Sequence, residues 1–330
     1  MRHTVDVQTF DVIGDIHGSY SQLKELVTRL GYDLDTGEHP EGRELVFVGD
    51  LIDRKPDQWE VISLVKRYVE EGRAHVVMGN HEFNALAFAT PTADGRGWCR
   101  PHDEKNVEQH KAFLTYLTPE QREEALAWFY TIPLWLSLPG LNVVHACWDQ
   151  EAMDRVAATL GGNTLRGPAD VQEASLEGTS LYRDVETILK GPEIRLADLN
   201  LPPYFDKGDH ARENARANWW HRERNTQRQL ITIPPGTMTA TQPSVPYPDL
   251  DDVREYDLQV ANYQGDRPVI FGHYWRQWND EDDWDEGAHI GWEQGKLCVD
   301  FSAGKQGPLV AYRFTEGDSS FDGTNFVTAL

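Results

Sequence analysis

Apolar residues along the first 80 positions recur with the spacing of alternating strands and helices. Mainly apolar runs predict buried strands over residues 10–13, 45–48 and 75–78, and a glycine closes each run. Between these runs, apolar residues three or four positions apart predict two amphipathic helices, the first of which stops at Gly31. This alternation is typical of an α/β fold with parallel strands.

A helix and a β-hairpin are predicted next along the chain. Residues 118–121 combine an N-cap threonine, a proline in the first turn and a glutamine at the capping-box position, so a helix is predicted through about Tyr130. Apolar residues on both sides of the turn at Pro139 and Gly140 then predict a hairpin over residues 134–144.

The second half of the chain is less regular. Residues 150–230 are polar and are predicted to be helical in pieces, whereas residues 232–248 contain five prolines and are predicted to form a long loop. Three further strands are predicted over residues 269–271, 297–301 and 309–314. The chain is therefore expected to be α/β at the front and rich in strands at the back.

Composition and charge narrow the class of protein. Apolar residues make up 39% of the 330 residues, which excludes wholesale disorder, and no apolar run is long enough for a membrane helix. The 31 Lys and Arg residues against 54 Asp and Glu residues give a net charge of −23, which argues against binding to nucleic acids or anionic lipids. The start of the chain lacks the pattern of an export signal, and three widely spaced cysteines indicate a reducing compartment, so a cytoplasmic location is expected.

Polar residues follow five of the apolar strands at the point where each strand ends. Because ligands bind beyond the carboxyl ends of strands in open α/β sheets, these residues are expected to meet at one place. The five segments are Gly14-Asp15-Ile16-His17-Gly18, Gly49-Asp50-Leu51-Ile52-Asp53-Arg54, Gly79-Asn80-His81-Glu82, Val143-Val144-His145-Ala146 and Phe271-Gly272-His273.

Six of these side chains could bind metal ions. They are oxygen or imidazole ligands without a thiolate, a mixture that favours Mn²⁺, Fe or Zn²⁺. Six ligands are too many for one ion with an open position, but they suit two ions that share a carboxylate. The sequence therefore predicts two divalent transition-metal ions per chain, with manganese preferred and iron or zinc as alternatives. The candidate ligands are Asp15, His17, Asp50, Asn80, His145 and His273.

These segments resemble the calcineurin-like metallophosphoesterase superfamily, specifically its phosphoprotein-phosphatase branch. That branch includes bacterial serine/threonine phosphatases, symmetrical dinucleoside-tetraphosphatases and the phosphatase domain of polynucleotide kinase-phosphatases. The resemblance covers residues 10–150 and, less closely, residues 265–315. It implies a two-sheet β-sandwich flanked by helices, with a dinuclear site at the carboxyl ends of the strands. We accordingly expect a single domain over residues 1–330, with a less regular insert or cap at about 150–265.

The resemblance also implies a role for each site residue. Asp15, His17 and Asp50 would hold the first metal ion. Asp50 would bridge to a second ion, whose other ligands would be Asn80, His145 and His273. In the same way, His81 would be the general acid and Asp53 would hold it, whereas Arg54 and Asn80 would bind the substrate phosphate. A second phosphate-binding arginine is expected after His145, with Arg183 preferred over Arg212, Arg216 and Arg222, which are spaced to share one helix face.

Departures from the family pattern and several conspicuous residues qualify this expectation. Phosphodiesterase members have a second histidine where this chain has Trp275, which favours the phosphatase branch. Trp219, Trp220 and the tryptophans of segment 275–292 could stack on a substrate ring, although core packing is the preferred interpretation. The acidic run at residues 280–286 is expected to be solvated, and Asp300 could orient a metal-bound histidine.

Taken together, these features predict a metal-dependent phosphatase. We expect it to hydrolyse phosphomonoesters of proteins or small molecules by direct attack of a hydroxide that bridges the two ions. One alternative is a symmetrical bis(5'-nucleosyl)-tetraphosphatase that cleaves a phosphoanhydride. A second alternative, a catalytically silent metal-binding scaffold, is disfavoured because Asp50, Asn80 and His81 are all present. The expected partner is a phosphorylated substrate, namely a phosphoprotein, a small phosphomonoester or a dinucleoside polyphosphate.

Overall fold

The computed structural model describes residues 7–205, 210–221, 225–234, 236–258, 263, 265–278, 295–318 and 320–329. The chain divides into two compact units, of which the first combines residues 1–190 with 266–330 and the second is residues 191–265. The predicted single domain with an insert at about 150–265 stays a prediction. The acidic run at 280–286 and the tryptophans at 284 and 292 lie outside the described residues.

The first unit begins with alternating strands and helices. Its elements up to residue 190 are β1 (Thr9–Ile13), α1 (Tyr20–Leu30), β2 (Glu44–Phe47), α2 (Gln58–Glu70), β3 (Ala74–Val76), α3 (Asn80–Ala89), α4 (Glu104–Tyr116), α5 (Pro119–Phe129), β4 (Trp135–Leu138), β5 (Leu141–Val144), α6 (Gln150–Leu160), α7 (Pro168–Ala174) and α8 (Ser180–Lys190).

The strand and helix predictions for the first 144 residues are confirmed, including a left-handed Gly31 at the end of α1 and the Thr118 capping box of α5. Helices α3 and α4 were not expected from the sequence. Helix α3 follows directly on β3, and seven of its ten residues are buried. It therefore lacks the polar face on which a helical spacing of apolar residues is recognised.

The second unit is small and built from short elements. They are β6 (Glu193–Arg195), a 3₁₀ turn (Leu196–Leu199), β7 (Tyr204–Phe205), β8 (Ala211–Arg212), β9 (Asn214–Arg216) and α9 (Gln227–Leu230). Strand β6 pairs antiparallel with β9, and β7 pairs antiparallel with β8. Eight buried residues form the core of this unit: Ile194, Leu196, Leu199, Leu201, Ala215, Ala217, Leu230 and Ile231.

The prediction that Arg212, Arg216 and Arg222 share a helix face is wrong for the two described residues. Arg212 lies in β8 and Arg216 in β9, whereas Arg222 lies outside the described residues. Ala215 and Ala217 are buried on either side of the less buried Arg216, which is the two-residue period of a strand rather than that of a helix.

In the described residues after 265, the first unit resumes with strands and one short turn. They are β10 (Val269–Phe271), β11 (Lys296–Cys298), β12 (Leu309–Thr315), a 3₁₀ turn (Gly323–Asn325) and β13 (Phe326–Ala329). The strand predicted over 297–301 ends early, at Cys298. The chain turns there because the Asp300 carboxylate accepts the backbone N–H of Ser302, which has a left-handed backbone with φ of 66°.

Two sheets of the first unit face each other across a shared core. One has the strand order β13-β12-β1-β2-β3 and the other β11-β10-β5-β4. Alternate residues of both sheets point into this core, such as Val12 and Val46 from the first sheet and Val143 and Ile270 from the second. The expected α/β fold with a two-sheet sandwich is confirmed.

The parallel strands bring their carboxyl ends to one edge of each sheet. Strand β1 runs parallel to β2 and β2 to β3, while β5 runs parallel to β10 and β10 to β11. The polar segments that follow β1, β2, β3, β5 and β10 therefore start from neighbouring strand ends. Within the described ranges, no helix combines the length and apolar character that a membrane crossing requires.

Gly49, at the end of β2, has no room for a side chain. Its φ is 95°, and a Cβ built on it would lie 2.4 Å from the backbone nitrogen of Gly79. Gly42 is also left-handed, with φ of 71°, but a Cβ there would meet nothing within 4 Å. Alanine substitutions at these two glycines therefore distinguish the cost of backbone strain alone from the added cost of crowding.

We expect Gly42→Ala to lower the free energy of unfolding by about 1–2 kcal/mol, the cost of a left-handed backbone for an L-residue. Gly49→Ala adds a backbone clash and should cost about 3 kcal/mol or more. Urea denaturation of both variants measures the difference. Equal losses in the two variants would show that the strand ends are not packed as tightly as described.

Candidate active site

The segments after β1, β2, β3, β5 and β10 bring their polar side chains together and bury them. Each of the six predicted metal ligands has at most 8% of its surface exposed. Burying so many polar groups is costly unless each finds a partner. The site is therefore built as a connected set, whose buried members are Asp15, His17, Asp50, Asn80, His145 and His273.

Backbone strain is concentrated at this site. In the described part of the chain, eight residues other than glycine have a positive φ, and only Asn200 lies in the second unit. The other seven lie in or beside the polar segments, where side chains are turned away from the directions of the strands. These seven are His17, Asp50, Asp53, Arg54, His273, Trp275 and Ser302.

Asp50 is at the centre of the set. Its carboxylate Oδ1 accepts the backbone N–H of His81 at 2.9 Å and lies 3.4 Å from His145 Nε2, whereas Oδ2 lies 3.5 Å from His17 Nε2. Burial alone would raise the pKa of Asp50, but the neighbouring imidazoles, His145 foremost, and the backbone N–H of His81 outweigh it and lower the pKa to about 2. The carboxylate is therefore ionised at neutral pH.

The imidazole rings are oriented by backbone carbonyls. The Nδ1 atoms of His17 and His145 face the carbonyl oxygens of Ile52 at 2.8 Å and Val48 at 2.7 Å. A carbonyl can only accept, so both Nδ1 atoms carry hydrogen, and a neutral ring then presents the lone pair of Nε2 to Asp50. Burial lowers the pKa of His17 to about 3, so this ring is neutral.

A lone pair that faces a carboxylate indicates a site for a cation. His17 Nε2 and Asp50 Oδ2 are both acceptors at 3.5 Å, and a cation held between them would satisfy both. A backbone carbonyl on the other ring nitrogen is the usual partner of a metal-binding histidine. The donor set therefore fits metal ions.

Excess negative charge at the site supports the same conclusion. Burial raises the pKa of Asp15 well above its ordinary value, and the neighbouring Asp300 and Asp50 raise it further. Burial likewise raises the pKa of Asp300 and brings that of Glu82 to about 7. Divalent cations would relieve this repulsion, because they stabilise the ionised carboxylates.

The ligand atoms form two groups that share Asp50. One group is His17, Asp50 and His81, and the other is Asp50, His145 and His273, with all ligand atoms of a group within 4.8 Å of one another. Asp15, expected among the ligands of the first ion, belongs to neither group; its carboxylate accepts the backbone N–H of His273, a member of the second group, at 3.1 Å. Asn80 Oδ1 lies 3.1 Å from His145 Nε2.

His81 and Asp53 form a pair at the edge of this cluster. Nδ1 of His81 lies 2.5 Å from Asp53 Oδ2, and Nε2 is 3.8 Å from Asp50 Oδ2. Burial would lower the pKa of His81, but the charge of Asp50 and the hydrogen bond to Asp53 outweigh it and raise the pKa. The His81 side chain remains 15% exposed, so a bound molecule can reach it.

Arg54 extends a cation beside the cluster. Its guanidinium lies over the Trp275 ring, 4.1 Å from the ring centre, and its Nε has no hydrogen-bond partner among the described residues. Gly304 makes room for this arrangement, since a Cβ there would lie 2.6 Å from Arg54 Cδ. Burial lowers the pKa of the guanidinium, although it stays charged at neutral pH.

The other residues singled out from the sequence either lie apart from the cluster or have a different structural role. Arg183, on α8, is 68% exposed, and its Nε lies 4.0 Å from Asp184 rather than near the clustered side chains. Trp219 and Trp220 are almost fully buried, so neither ring presents an exposed face to a substrate. Asp300 accepts the backbone N–H groups of Trp275 and Ser302 and so shapes the loop after His273.

The chain matches the family described as calcineurin-like phosphoesterase over residues 8–277, more than half of its length. It belongs to this family. The membership expected from the strand-end segments is thereby confirmed, and with it the expectation of a hydrolytic enzyme.

Two bacterial relatives carry the name bis(5'-nucleosyl)-tetraphosphatase PrpE, asymmetrical. The Halalkalibacterium halodurans protein is 35% identical over 190 residues, which cover 55% of this chain and 74% of the relative. The Geobacillus thermodenitrificans protein is 49% identical over 179 residues, which cover 53% of this chain and 71% of the relative.

Solved structures of phosphatases also match over most of the chain. A cold-active protein-tyrosine phosphatase of a Shewanella species is 14% identical with a TM-score of 0.45, covering 98% of this chain and 81% of that one. A Saccharomyces cerevisiae protein serine/threonine phosphatase is 12% identical with a TM-score of 0.44, covering 99% and 80%.

Three residues of the site were not singled out from the sequence. The Glu82 carboxylate accepts the backbone N–H groups of Gly79, Asp50 and Leu51, and so joins the ends of β2 and β3. Gln58 accepts the N–H of Asp53 at 2.9 Å, and His110 contacts the Asp53 carboxylate. Glu82 could have been found from its place in the segment Gly79-Asn80-His81-Glu82, three positions after Gly79, the residue that precedes α3.

Glu82 offers a test of how these strand ends are held. Glu82→Gln places an amide NH₂ against backbone N–H groups, so at least one buried donor loses its acceptor. We expect the free energy of unfolding of the metal-free protein to fall by about 2–4 kcal/mol, since each such donor costs about 1–3 kcal/mol. Urea denaturation measures this, with Glu44→Gln as the control because Glu44 pairs with His75 at a half-exposed position.

The pH dependence of this effect has a definite sign. The pKa of Glu82 in the folded protein is about 7, above the ordinary 4.5, so folding favours its protonated form. The resulting stabilisation is complete below pH 4.5 and is lost as the pH rises to about 7. The loss caused by Glu82→Gln should therefore be smaller at pH 8 than at pH 5, and an equal or larger loss at pH 8 would contradict the assignment.

Proposed function

We propose that this chain hydrolyses phosphate monoesters of proteins or small molecules with the aid of two divalent metal ions. The pair of His81 and Asp53 beside the shared carboxylate of Asp50 is the observation that carries the proposal. A histidine held by a carboxylate, partly exposed and with a raised pKa, is suited to donate a proton to a leaving group. The free thiols of Cys99, Cys147 and Cys298 suit a reducing cytoplasm.

The proposed metal ligands share Asp50, as the two groups of ligand atoms do, with Asp15 in place of His81 in the first set and Asn80 added to the second. Asp15, His17 and Asp50 would hold one ion, and Asp50, Asn80, His145 and His273 the other. When bound, two such ions lower the pKa of a coordinated water and neutralise charge on the phosphoryl oxygens. Oxygen and imidazole ligands favour manganese, with iron or zinc as alternatives.

Arg54 and Asn80 would bind the substrate phosphate. The Arg54 guanidinium makes no ion pair with a described residue, although Asp50, Asp300 and Asp15 all attract it. A guanidinium can give two parallel hydrogen bonds to a phosphoryl group, and the Trp275 ring keeps it in place. Arg183 remains a weaker candidate for a second clamp, because its side chain lies among solvent and Asp184.

The proton for the leaving group would come from His81. Its Nδ1 hydrogen is held by Asp53, which leaves Nε2 to face the bound substrate. An alkoxide leaving group must be protonated as its bond to phosphorus breaks, whereas p-nitrophenolate leaves readily without help. The basicity of the leaving group therefore sets how much this histidine contributes.

His81→Ala tests this role. We expect kcat on an alkyl phosphate such as phosphoserine to fall by about 10²–10⁴, the usual contribution of a positioned acid. The loss on p-nitrophenyl phosphate should be distinctly smaller, with the metal content per chain unchanged. Equal losses on both substrates would mean that His81 acts on the phosphoryl oxygens or on the structure of the site.

A second candidate function is hydrolysis of a phosphoanhydride in a dinucleoside tetraphosphate. Two relatives that are 35% and 49% identical carry the name of an asymmetrical bis(5'-nucleosyl)-tetraphosphatase. The sequence alone favoured symmetrical cleavage for this alternative, so the position of the cut is the point to be tested. A nucleotide is also a less basic leaving group than an alkoxide and would depend less on His81.

A comparison of substrates separates these functions. The protein is stripped of metal and reloaded with Mn²⁺, and its activity is measured on diadenosine tetraphosphate, a phosphoserine peptide and p-nitrophenyl phosphate. We expect activity to return with the metal and kcat/KM to be highest on a phosphomonoester. From the tetraphosphate, AMP with ATP would indicate asymmetrical cleavage, and ADP alone symmetrical cleavage. A higher kcat/KM on the tetraphosphate than on either monoester would replace the first proposal with the second.

A further inference from the structure

His110 lies outside every segment that marks the site in the sequence, yet it contacts the pair of His81 and Asp53. It is on α4, and 5% of its side chain is exposed. Its Nδ1 lies 3.1 Å from Asp53 Oδ1, whereas His81 Nδ1 lies 2.5 Å from Asp53 Oδ2. Each oxygen of the Asp53 carboxylate is therefore contacted by a different histidine.

The direction of both hydrogen bonds follows from the chemistry of the carboxylate. Burial would raise the pKa of Asp53, but the hydrogen bonds from His110 and His81 outweigh it and hold the pKa below its ordinary value. An ionised carboxylate can only accept, so His110 and His81 both donate from Nδ1. With an N–H on each oxygen and its own backbone N–H bound by Gln58, Asp53 is fixed in position and in rotation.

Aromatic packing in turn fixes the ring of His110. The Phe113 ring is stacked on it at 4.7 Å between ring centres, and the Phe88 ring lies tilted against it at 5.1 Å. A ring confined in this way can make its hydrogen bond with little loss of side-chain entropy. The position of His110 is thus set by α3 and α4 rather than by the segments that carry the metal ligands.

We propose that His110 is a positioning residue for the general acid, acting through Asp53 to aim His81 at the leaving group. The proposal rests on the proposed role of His81. Without the N–H of His110, Asp53 Oδ1 is left buried without this donor, and the carboxylate can turn away from the orientation that holds His81. Only the step that depends on proton donation to the leaving group should then suffer.

A matched pair of variants separates the hydrogen bond from the packing. His110→Asn keeps an N–H donor near the position of Nδ1, and His110→Gln carries its amide farther out, near the position of Nε2. His110→Phe keeps the stacked ring and removes both nitrogens. A purely structural role would make Phe the mildest change, whereas the positioning role makes Asn the mildest.

We expect His110→Phe and His110→Gln to lower kcat on phosphoserine by about 10- to 100-fold, as for a catalytic group that is slightly misplaced. On p-nitrophenyl phosphate the loss should stay within about threefold, and KM should hardly change because Arg54 is untouched. His110→Asn should recover most of the activity. Metal content per chain and the midpoint of thermal unfolding are measured for each variant.

Two further variants complete the experiment. In a His81→Ala background, His110→Phe should cost nothing more, because residues that act as one unit are not additive. His102→Ala is the matched control, since His102 stacks on the same Phe88 ring and hydrogen-bonds to the Phe88 carbonyl, with no contact to Asp53 among the described residues. It should change kcat on either substrate by less than about twofold.

The outcomes distinguish this proposal from the function on which it rests. If His81→Ala shows the dependence on leaving group and His110→Phe and His110→Gln lose activity equally on both substrates, the positioning role is overturned. The same holds if His110→Asn is no better than His110→Gln. If His81→Ala itself loses activity equally on both substrates, the general-acid role is what fails. Should His110→Phe not fold, the comparison of Asn with Gln decides alone.

Discussion

The ionised, buried carboxylate of Asp50 is the group on which the rest of the site depends. Its two oxygens face His145 and His17 on opposite sides of the cluster, and its backbone oxygen accepts the N–H groups of Ile16 and His17. One residue thereby ties the end of β1 to that of β2 and belongs to both groups of ligand atoms. Moving it would disturb the loops and the candidate metal sites together.

Keeping that charge buried has two costs that the structure displays. The left-handed backbone of seven residues turns their side chains inward, at a cost of about 1–3 kcal/mol each, which the two packed sheets must offset. Burial first, and then repulsion from neighbouring carboxylates such as Asp50, raises the pKa of Asp15, Glu82 and Asp300. Strain and repulsion are both located where divalent cations would be held, which is why the fold and the chemistry cannot be separated here.

The sequence predicted the parts of the molecule that depend on local pattern. Apolar runs closed by glycines placed β1, β2 and β10 correctly, and the residues after them located the cluster. It failed where tertiary packing decides: α3 is buried on most sides, and Arg216 lies in a strand because the small alanines beside it fill a core. His110 gave no signal at all, since its role comes from α4 crossing close to Asp53, 57 residues away along the chain.

The contacts of His81 suggest how one site could serve different leaving groups. The backbone N–H of His81 is bound to Asp50, so the residue is placed by the same carboxylate that would hold the ions. Its ring is instead placed by Asp53, whose orientation depends on Gln58 and His110. The proposed phosphate binding and the proposed proton donation would thus have separate structural supports, one from the strand ends and one from α2 and α4. Substitutions in α4 could therefore change how strongly the rate depends on the basicity of the leaving group, while the cluster around Asp50 stays the same.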